Sequence, residues 1–367
     1  MKLIFHKNDL LKSVNIVMRA VPSKTTMPIL TCILVDATSN NIKFTSNDME
    51  LGIETTVNGI IEEKGKVAID AKIFSEIVRK LPDSDVTIET DDTMNTTIIC
   101  EKAKFNIGGQ SGEEFSYLPY VEKEKSIEIS QFTLKEMIRQ TIFSISSTDT
   151  NKMMTGELFE VKDNILRVVS LDGHRISIRK IELKTKYPDM KSVVPGKTLI
   201  ELSKILSGEM EDKVNIYFTK NHILFEFDET IVVSRLIEGD YFRIDQMLSS
   251  DYETKIKINK REFLDCIDRA TLLVNENDKK PIIISIAQGN MELKIQSQIG
   301  SMKEEIDIEM EGKDIMIGFN PKFLMDALRV IDDETVDIYL MNSKAPCFIR
   351  NEIQSYIYLI LPVNFMA

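Results

Sequence analysis

The run Asp172-Gly173-His174-Arg175 is where acid–base chemistry could first be sought, because a carboxylate and an imidazole stand two residues apart. An Asp-Gly pair is also ordinary turn chemistry, with glycine supplying the positive φ. No nucleophile motif accompanies the run, and no metal-ligand spacing is found anywhere in the chain. Gly108-Gly109-Gln110-Ser111-Gly112 reads as a loop, but no Gly-Lys-Ser/Thr follows to cradle a phosphate. The chain has only 3 histidines, and its 4 cysteines (Cys32, Cys100, Cys266, Cys347) include no C-x-x-C pair. A zinc site or a disulfide framework is therefore not expected, and a reducing cytoplasm fits best. A hydrolase built on Asp172 and His174 lacks the partners that such a site needs. A turn or a binding role is the better expectation.

The segments that would position this run recur along the chain. Lys72, Lys197 and Lys322 are spaced by 125 residues, and each opens a helical segment with an acid at the fourth residue on and a base at the seventh. Apolar residues fall between them at helical spacing, for example Leu199, Leu202, Ile205 and Leu206. A second helix recurs at Asp9-Leu10-Leu11-Lys12, Glu136-Met137-Ile138-Arg139 and Glu262-Phe263-Leu264-Asp265, each after a short strand-like run. Asn41 to Phe44, Ile165 to Val168 and Met291 to Lys294 form a third set. Three ordered features repeated three times predict three α+β domains rich in antiparallel sheet, 1–124, 125–250 and 251–367. Each unit reads as β-α-β-β-β twice over. The counterparts of Asp172–Arg175 are Asp48-Met49-Glu50-Leu51 and Ser297-Gln298-Ile299-Gly300, so the motif is confined to the middle unit.

Of 367 residues, 43% are hydrophobic and 28% charged, a soluble, globular balance. The opening residues show no signal peptide, and the longest apolar stretch, Tyr356 to Leu361, is too short to cross a bilayer. A net charge of −12 excludes nucleic-acid binding through bulk positive charge. Any such contact has to be local or topological. The six helical segments nevertheless carry a net +7, which leaves −19 on everything else. These faces read either as ordinary solvated helix surfaces or as six mildly basic faces turned toward one polyanion. Interleaved acids would keep the second kind of contact weak and mobile, since each neutralised phosphate adds binding free energy.

The chain ends on Tyr356-Ile357-Tyr358-Leu359-Ile360-Leu361-Pro362-Val363-Asn364-Phe365. Alternate residues of this strand are expected in the core. The proline stops it and leaves apolar side chains that could line a groove for a partner peptide.

The three α+β units, the basic helices on an acidic body, Asp-Gly-His-Arg in the second unit and the Leu-Pro-hydrophobic end together resemble the bacterial DNA polymerase III β subunits, the DNA sliding clamps. Leu10-Leu11-Lys12 and Pro28-Ile29-Leu30 match that family in register. The resemblance implies a head-to-tail homodimeric ring of six domains, with helices lining a hole that holds double-stranded DNA. It implies a cytoplasmic, non-catalytic processivity factor with no cofactor, no metal and no membrane partner. Its partners would be the DNA polymerase III α subunit, the clamp loader complex and other clamp-binding-motif proteins of replication and repair.

Residue by residue, the family's peptide pocket falls on Met154, Leu171, Gly173, His174, Arg175, Ile176, Phe242, Met247, Leu359, Ile360, Leu361, Pro362 and Val363. Phe242 stands where the family commonly has proline and Gln246 where it has arginine, so a different peptide preference is expected. The ring interface falls on Phe105 and Ile107 in the first domain and Leu272 and Leu273 in the third. Periodicity alone reads these four equally well as core. DNA-facing positions are Lys12, Arg19, Lys24, Lys72, Arg79, Arg139, Lys152, Lys197, Lys204, Lys322 and Arg329, with the loop from Thr148 to Lys152 nearby and Met153 where an aromatic is common. The rival to this reading is a repeat-built protein-binding scaffold that never holds DNA.

Overall fold

The computed structural model describes residues 1–148, 151–248, 251–274 and 280–365. The first repeat runs β1 (Lys2–His6), α1 (Lys7–Val17), β2 (Cys32–Asp36), β3 (Ile42–Asn47), β4 (Leu51–Val57), β5 (Ile60–Glu63), β6 (Lys66–Asp70), α2 (Ala71–Lys80), β7 (Asp85–Thr90), β8 (Asn95–Cys100) and β9 (Ala103–Ser111). The second runs β10 (Ser126–Ser130), α3 (Gln131–Arg139), β11 (Gly156–Leu171), β12 (Arg175–Pro195), α4 (Gly196–Ser203), β13 (Lys213–Phe218), β14 (His222–Phe227) and β15 (Thr230–Arg235). The third runs β16 (Thr254–Asn259), α5 (Lys260–Thr271), β17 (Ile282–Ala287), β18 (Asn290–Gln296), β19 (Ser301–Asp307), β20 (Glu309–Gly312), β21 (Ile315–Phe319), α6 (Pro321–Val330), β22 (Thr335–Leu340), β23 (Cys347–Arg350) and β24 (Tyr356–Ile360). The two-helix repeat expected from the sequence is present three times. It gains the short strands β5 and β20, and in the second repeat neighbouring strands fuse into the long β11 and β12. No helix among the described residues is long and apolar enough to cross a membrane.

Helix starts follow from local chemistry. Asp70 accepts the Ile73 N–H at 2.8 Å ahead of α2, Asn259 accepts Glu262 N–H at 3.1 Å ahead of α5, and Asn320 accepts Lys322 N–H at 3.0 Å with Pro321 opening α6. Leu10, Val14 and Val17 of α1 are buried, while Lys12 and Arg19 stay exposed, as the apolar stripe requires.

The chain forms two compact units. One comprises Met1–Lys135 with Lys197–Leu236; the other comprises Glu136–Gly196 with Ile237–Ala367. The first holds a 13-stranded sheet in the order β10-β13-β14-β15-β4-β3-β2-β6-β9-β8-β7-β1-β5. The join between repeats there is β15 on β4, antiparallel, from Thr230 opposite Thr55 to Ser234 opposite Leu51. Phe5, Phe44 and Phe74 meet edge-on in its core, with centroids 5.9 and 6.1 Å apart. The second unit holds a 7-stranded sheet, β11-β12-β24-β23-β22-β16-β20, and a 4-stranded one, β19-β18-β17-β21. Its repeats join through β24 on β12, from Arg175 opposite Ile360 to Arg179 opposite Tyr356.

Two expectations change. All five residues of β24 are buried, because Tyr356, Tyr358 and Ile360 face the third repeat's core while Ile357 and Leu359 face a separate apolar cluster. Gly108 to Ser111 is strand and not loop. A Cβ at Gly109 would lie 2.6 Å from the Val67 side chain and 2.8 Å from Met94 O, so glycine is there for the close approach of two strands.

Candidate functional site

The turn between β11 and β12 is built by Asp172. Its Oδ1 accepts the His174 N–H at 2.9 Å and the Arg175 N–H at 3.2 Å, and its Oδ2 takes Arg175 Nε at 3.1 Å. Gly173 has φ +20°. The carboxylate is thus committed to the turn and to the guanidinium, and it does not orient the imidazole. His174 instead lies over Phe323, centroids 5.8 Å apart, and its carbonyl accepts the Leu361 N–H at 2.8 Å. Arg175 is buried; it donates to Asp326 Oδ2 at 2.7 Å and to Phe143 O at 2.5 Å, and its guanidinium sits 4.5 Å from the Phe323 ring centre. Two carboxylates and an aromatic face hold this cation in place. The geometry is that of a locked turn and supplies no acid–base pair.

Beside the turn, Leu171, Ile176 and Leu359 on adjacent strands share one apolar cluster with Leu158, Ile244 and Phe348. Met153, Met154, Tyr241 and Phe242 pack against it partly buried. Phe242 and Tyr241 stand edge to face at 5.6 Å. Met247 and Leu361 are exposed at its margin. Pro362 and Val363 are partly buried, and the Val363 N–H donates to Gly318 O at 2.8 Å. Ile360 departs from the set, because strand alternation turns it into the third repeat's core. Arg175, directly opposite Ile360, and His174 likewise pack against Phe323 at the third repeat's core, whereas Met154, Leu171, Ile176, Phe242 and Leu359 share the one apolar cluster, the make-up of a ligand or peptide site.

The chain carries its own control for this site. The three counterpart turns close alike, by Asp48 N–H to Leu51 O at 3.0 Å, Asp172 N–H to Arg175 O at 3.2 Å and Ser297 N–H to Gly300 O at 2.9 Å. Matching the two joins by strand register puts Asn47 for Leu171, Glu50 for His174, Gly52 for Ile176 and Arg235 for Leu361. Leu118 fills the space over Gly52. One join is polar and plugged, whereas the other is apolar and lined.

Ten of the eleven expected DNA-facing bases, Lys12, Arg19, Lys24, Lys72, Arg79, Lys152, Lys197, Lys204, Lys322 and Arg329, are exposed, and Arg139 is half-buried. Six are partnered by carboxylates: Arg19 and Lys204 with Glu201, Arg79 with Glu76, Arg139 with Glu136 and Asp332, Lys197 with Asp48, Arg329 with Asp268. Of the loop expected nearby, Asp149 and Thr150 lie outside the described residues, as does the 249–250 end of the second expected domain.

Phe105 is 39% exposed and Leu272 78%, with Ile107 and Leu273 intermediate, so none of the four is fully buried core. Among the described residues β9 pairs only with β8 from Ala103 to Gly108; its pairing with β6 begins at Gly109. β19 pairs only with β18 among the described residues.

Sequence reasoning did not reach Arg167, which donates to Glu160 Oε2 at 2.9 Å and Asp245 Oδ1 at 2.5 Å. It also missed Glu157, a fully buried carboxyl neither of whose oxygens has a hydrogen-bond partner among the described residues. Neither residue stands in a motif. Both sit on β11, where the strand alternation that would mark them is broken by register shifts at Val161/Asp163 and Asp163/Ile165.

Residues 1–119, 128–242 and 245–364 match the families described as the N-terminal, central and C-terminal domains of the DNA polymerase III beta subunit. The chain is 33% identical over 375 residues to the beta sliding clamps of Staphylococcus epidermidis and Staphylococcus aureus, covering 99% of each chain. Among solved structures it is similar to a putative DNA polymerase III beta subunit from Eubacterium rectale (69% identity, TM-score 0.97) and to the DNA polymerase sliding clamp of Bacillus subtilis (34% identity, TM-score 0.96). Coverage of both chains is 100% in each case.

Proposed function

Because the chain belongs to the DNA polymerase III beta subunit family, we propose that it closes around duplex DNA as a head-to-tail homodimer and holds polymerase III through the apolar pocket at Leu171, Ile176 and Leu359. It is a sliding clamp, a non-catalytic processivity factor of DNA replication.

One observation carries the ring. β4, β12 and β19 each follow the same hydrogen-bonded turn in their repeats, and β9, β15 and β24 are each the last strand of theirs. β4 pairs with β15 and β12 with β24, so two of the three equivalent joins are made inside one chain. The third would pair β19 with the Ala103–Gly108 part of β9, and among the described residues each of these has a side without a strand. A second copy supplies the missing partner at both places, which is the closure rule of a head-to-tail ring. Phe105, Ile107, Leu272 and Leu273 are the side chains available to be buried there, about 1.5–3 kcal/mol for each that becomes fully covered. Domains 1–124, 125–250 and 251–367 are the units of that ring in this reading.

The eleven bases are proposed as its DNA-facing set. With six of them already paired to carboxylates, their grip on phosphate is weak, which suits a protein that must move along DNA. The clamp loader, the polymerase III α subunit and other clamp-binding-motif proteins are the partners that the apolar pocket would serve in turn. Sedimentation velocity tests the ring: Leu272→Asp and Phe105→Asp should each shift the protein from dimer to monomer with circular dichroism unchanged. A dimer that survives both substitutions would place the interface elsewhere.

A further inference from the structure

We propose that Arg167 and Asp245 form a clip that fixes the strap carrying Phe242 and Met247, and thereby sets how tightly the pocket holds a partner's peptide; this rests on the pocket reading above. The strap runs from Ile237, whose N–H donates to Val193 O at 2.9 Å, to Leu248. Buried Ile244 pins its centre into the apolar cluster, and Tyr241 Oη donates to Val169 O at 3.3 Å. Asp245 follows Ile244 in a single 3-10 turn and lies between the two pocket residues, so its position governs theirs. Arg167 is rigid: its side chain is 15% exposed, and Glu160 binds it at 2.6 Å through Nη2. Asp245, 76% exposed, is therefore the movable partner held by a fixed one. Lys180, directly across the sheet from Arg167, adds a second, partly desolvated cation on this face. Another ion pair of the strap, Lys191 with Asp240, spans 4.0 Å between highly exposed side chains and anchors little.

Among the described residues the polar join of the first unit shows no such clip. There Lys43, in Arg167's place, is bonded at 2.7 Å to Glu54 on the neighbouring strand. The Arg167–Asp245 pair thus stands at the apolar join, where the strap walls the pocket. Arg167 and Asp245 are positioning residues in this scheme: they touch the strap and leave the peptide to Phe242 and Met247.

The test uses the full-length protein and fluorescently labelled polymerase III α subunit of the same organism, titrated by anisotropy. Asp245→Ala, at an exposed position, should weaken binding about three- to tenfold, the range for one partly screened charged hydrogen bond acting through geometry. Asp245→Glu should restore most of the affinity, and sedimentation and melting temperature should be those of the parent. Leu361→Asp, at the pocket margin, is the control and should abolish binding. Parental affinity in Asp245→Ala with binding lost in Leu361→Asp would overturn the clip alone. Parental affinity in both would overturn the pocket reading, and the clip with it.

Discussion

Replacing Glu157 by methionine should stabilise the protein, and increasingly so as the pH rises. The Glu157 carboxyl is completely buried at the start of β11. The nearby Thr141 hydroxyl donates to Met137 O at 2.7 Å, and neither carboxylate oxygen has a hydrogen-bond partner among the described residues. Burial, opposed only weakly by that hydroxyl, pushes the carboxyl up to about 8. The unfolded chain ionises near the ordinary value of 4.5. Below that value both states hold the proton and Glu157 costs nothing through ionisation. Between 4.5 and about 8 the unfolded state alone releases it, so folding stability falls by about 1.4 kcal/mol per pH unit, and above 8 the loss is complete. From pH 6 to pH 8 the parent should therefore lose about 2–3 kcal/mol that the Glu157→Met protein keeps. Urea unfolding of both proteins at the two pH values, at one fixed protomer concentration, measures the difference. Parallel pH slopes would mean that Glu157 is ionised in the folded protein and that its burial has been misread.

Neutralising Lys12, Lys72 and Lys322 to Gln should slow loading onto DNA and flatten its salt dependence while the sedimentation of the dimer stays unchanged; an unaltered loading rate would remove these bases from the DNA-facing set. Lys197 is left out because it pairs with Asp48, whose side chain is only 6% exposed and would be stranded. Arg175→Met should destabilise by about 3–5 kcal/mol, since Asp172 and Asp326 would lose their shared cation in a mostly buried place. Thermal unfolding reads that loss, and a melting temperature equal to the parent's would show that the two carboxylates find other partners.

The threefold repeat was legible because each unit must bury its own core, which forces apolar residues into helical spacing at Lys72, Lys197 and Lys322 alike. Short edge strands were not: Ile60-Ile61-Glu62-Glu63 and Glu309-Met310-Glu311-Gly312 are mostly exposed, so burial imposes no pattern on them. The fusion of strands into β11 and β12 was hidden for another reason, since continuity of a strand depends on pairing across the sheet more than on its own residues. The apolar half of the pocket could be read from Leu171, Ile176 and Leu359, whereas Ile360 could not be placed until strand register fixed its side. Arg175's partners come from Phe143, Asp172 and Asp326, segments up to 151 residues away, and no local pattern announces them. Nor does sequence show that the middle repeat is divided between two compact units by the joins β15 on β4 and β24 on β12.

Topological linkage to DNA is the central claim, and one measurement addresses it most directly. The protein is loaded by its cognate loader and ATP onto nicked circular duplex, the salt is raised, and half of the sample is then linearised. A chain of net charge −12 gripping DNA by electrostatics would leave both forms as counterions compete. A closed ring should stay on the circles and run off the linear ends. Equal loss from circles and linear DNA, with the loader active on a control clamp, would contradict the ring and favour a protein-binding scaffold.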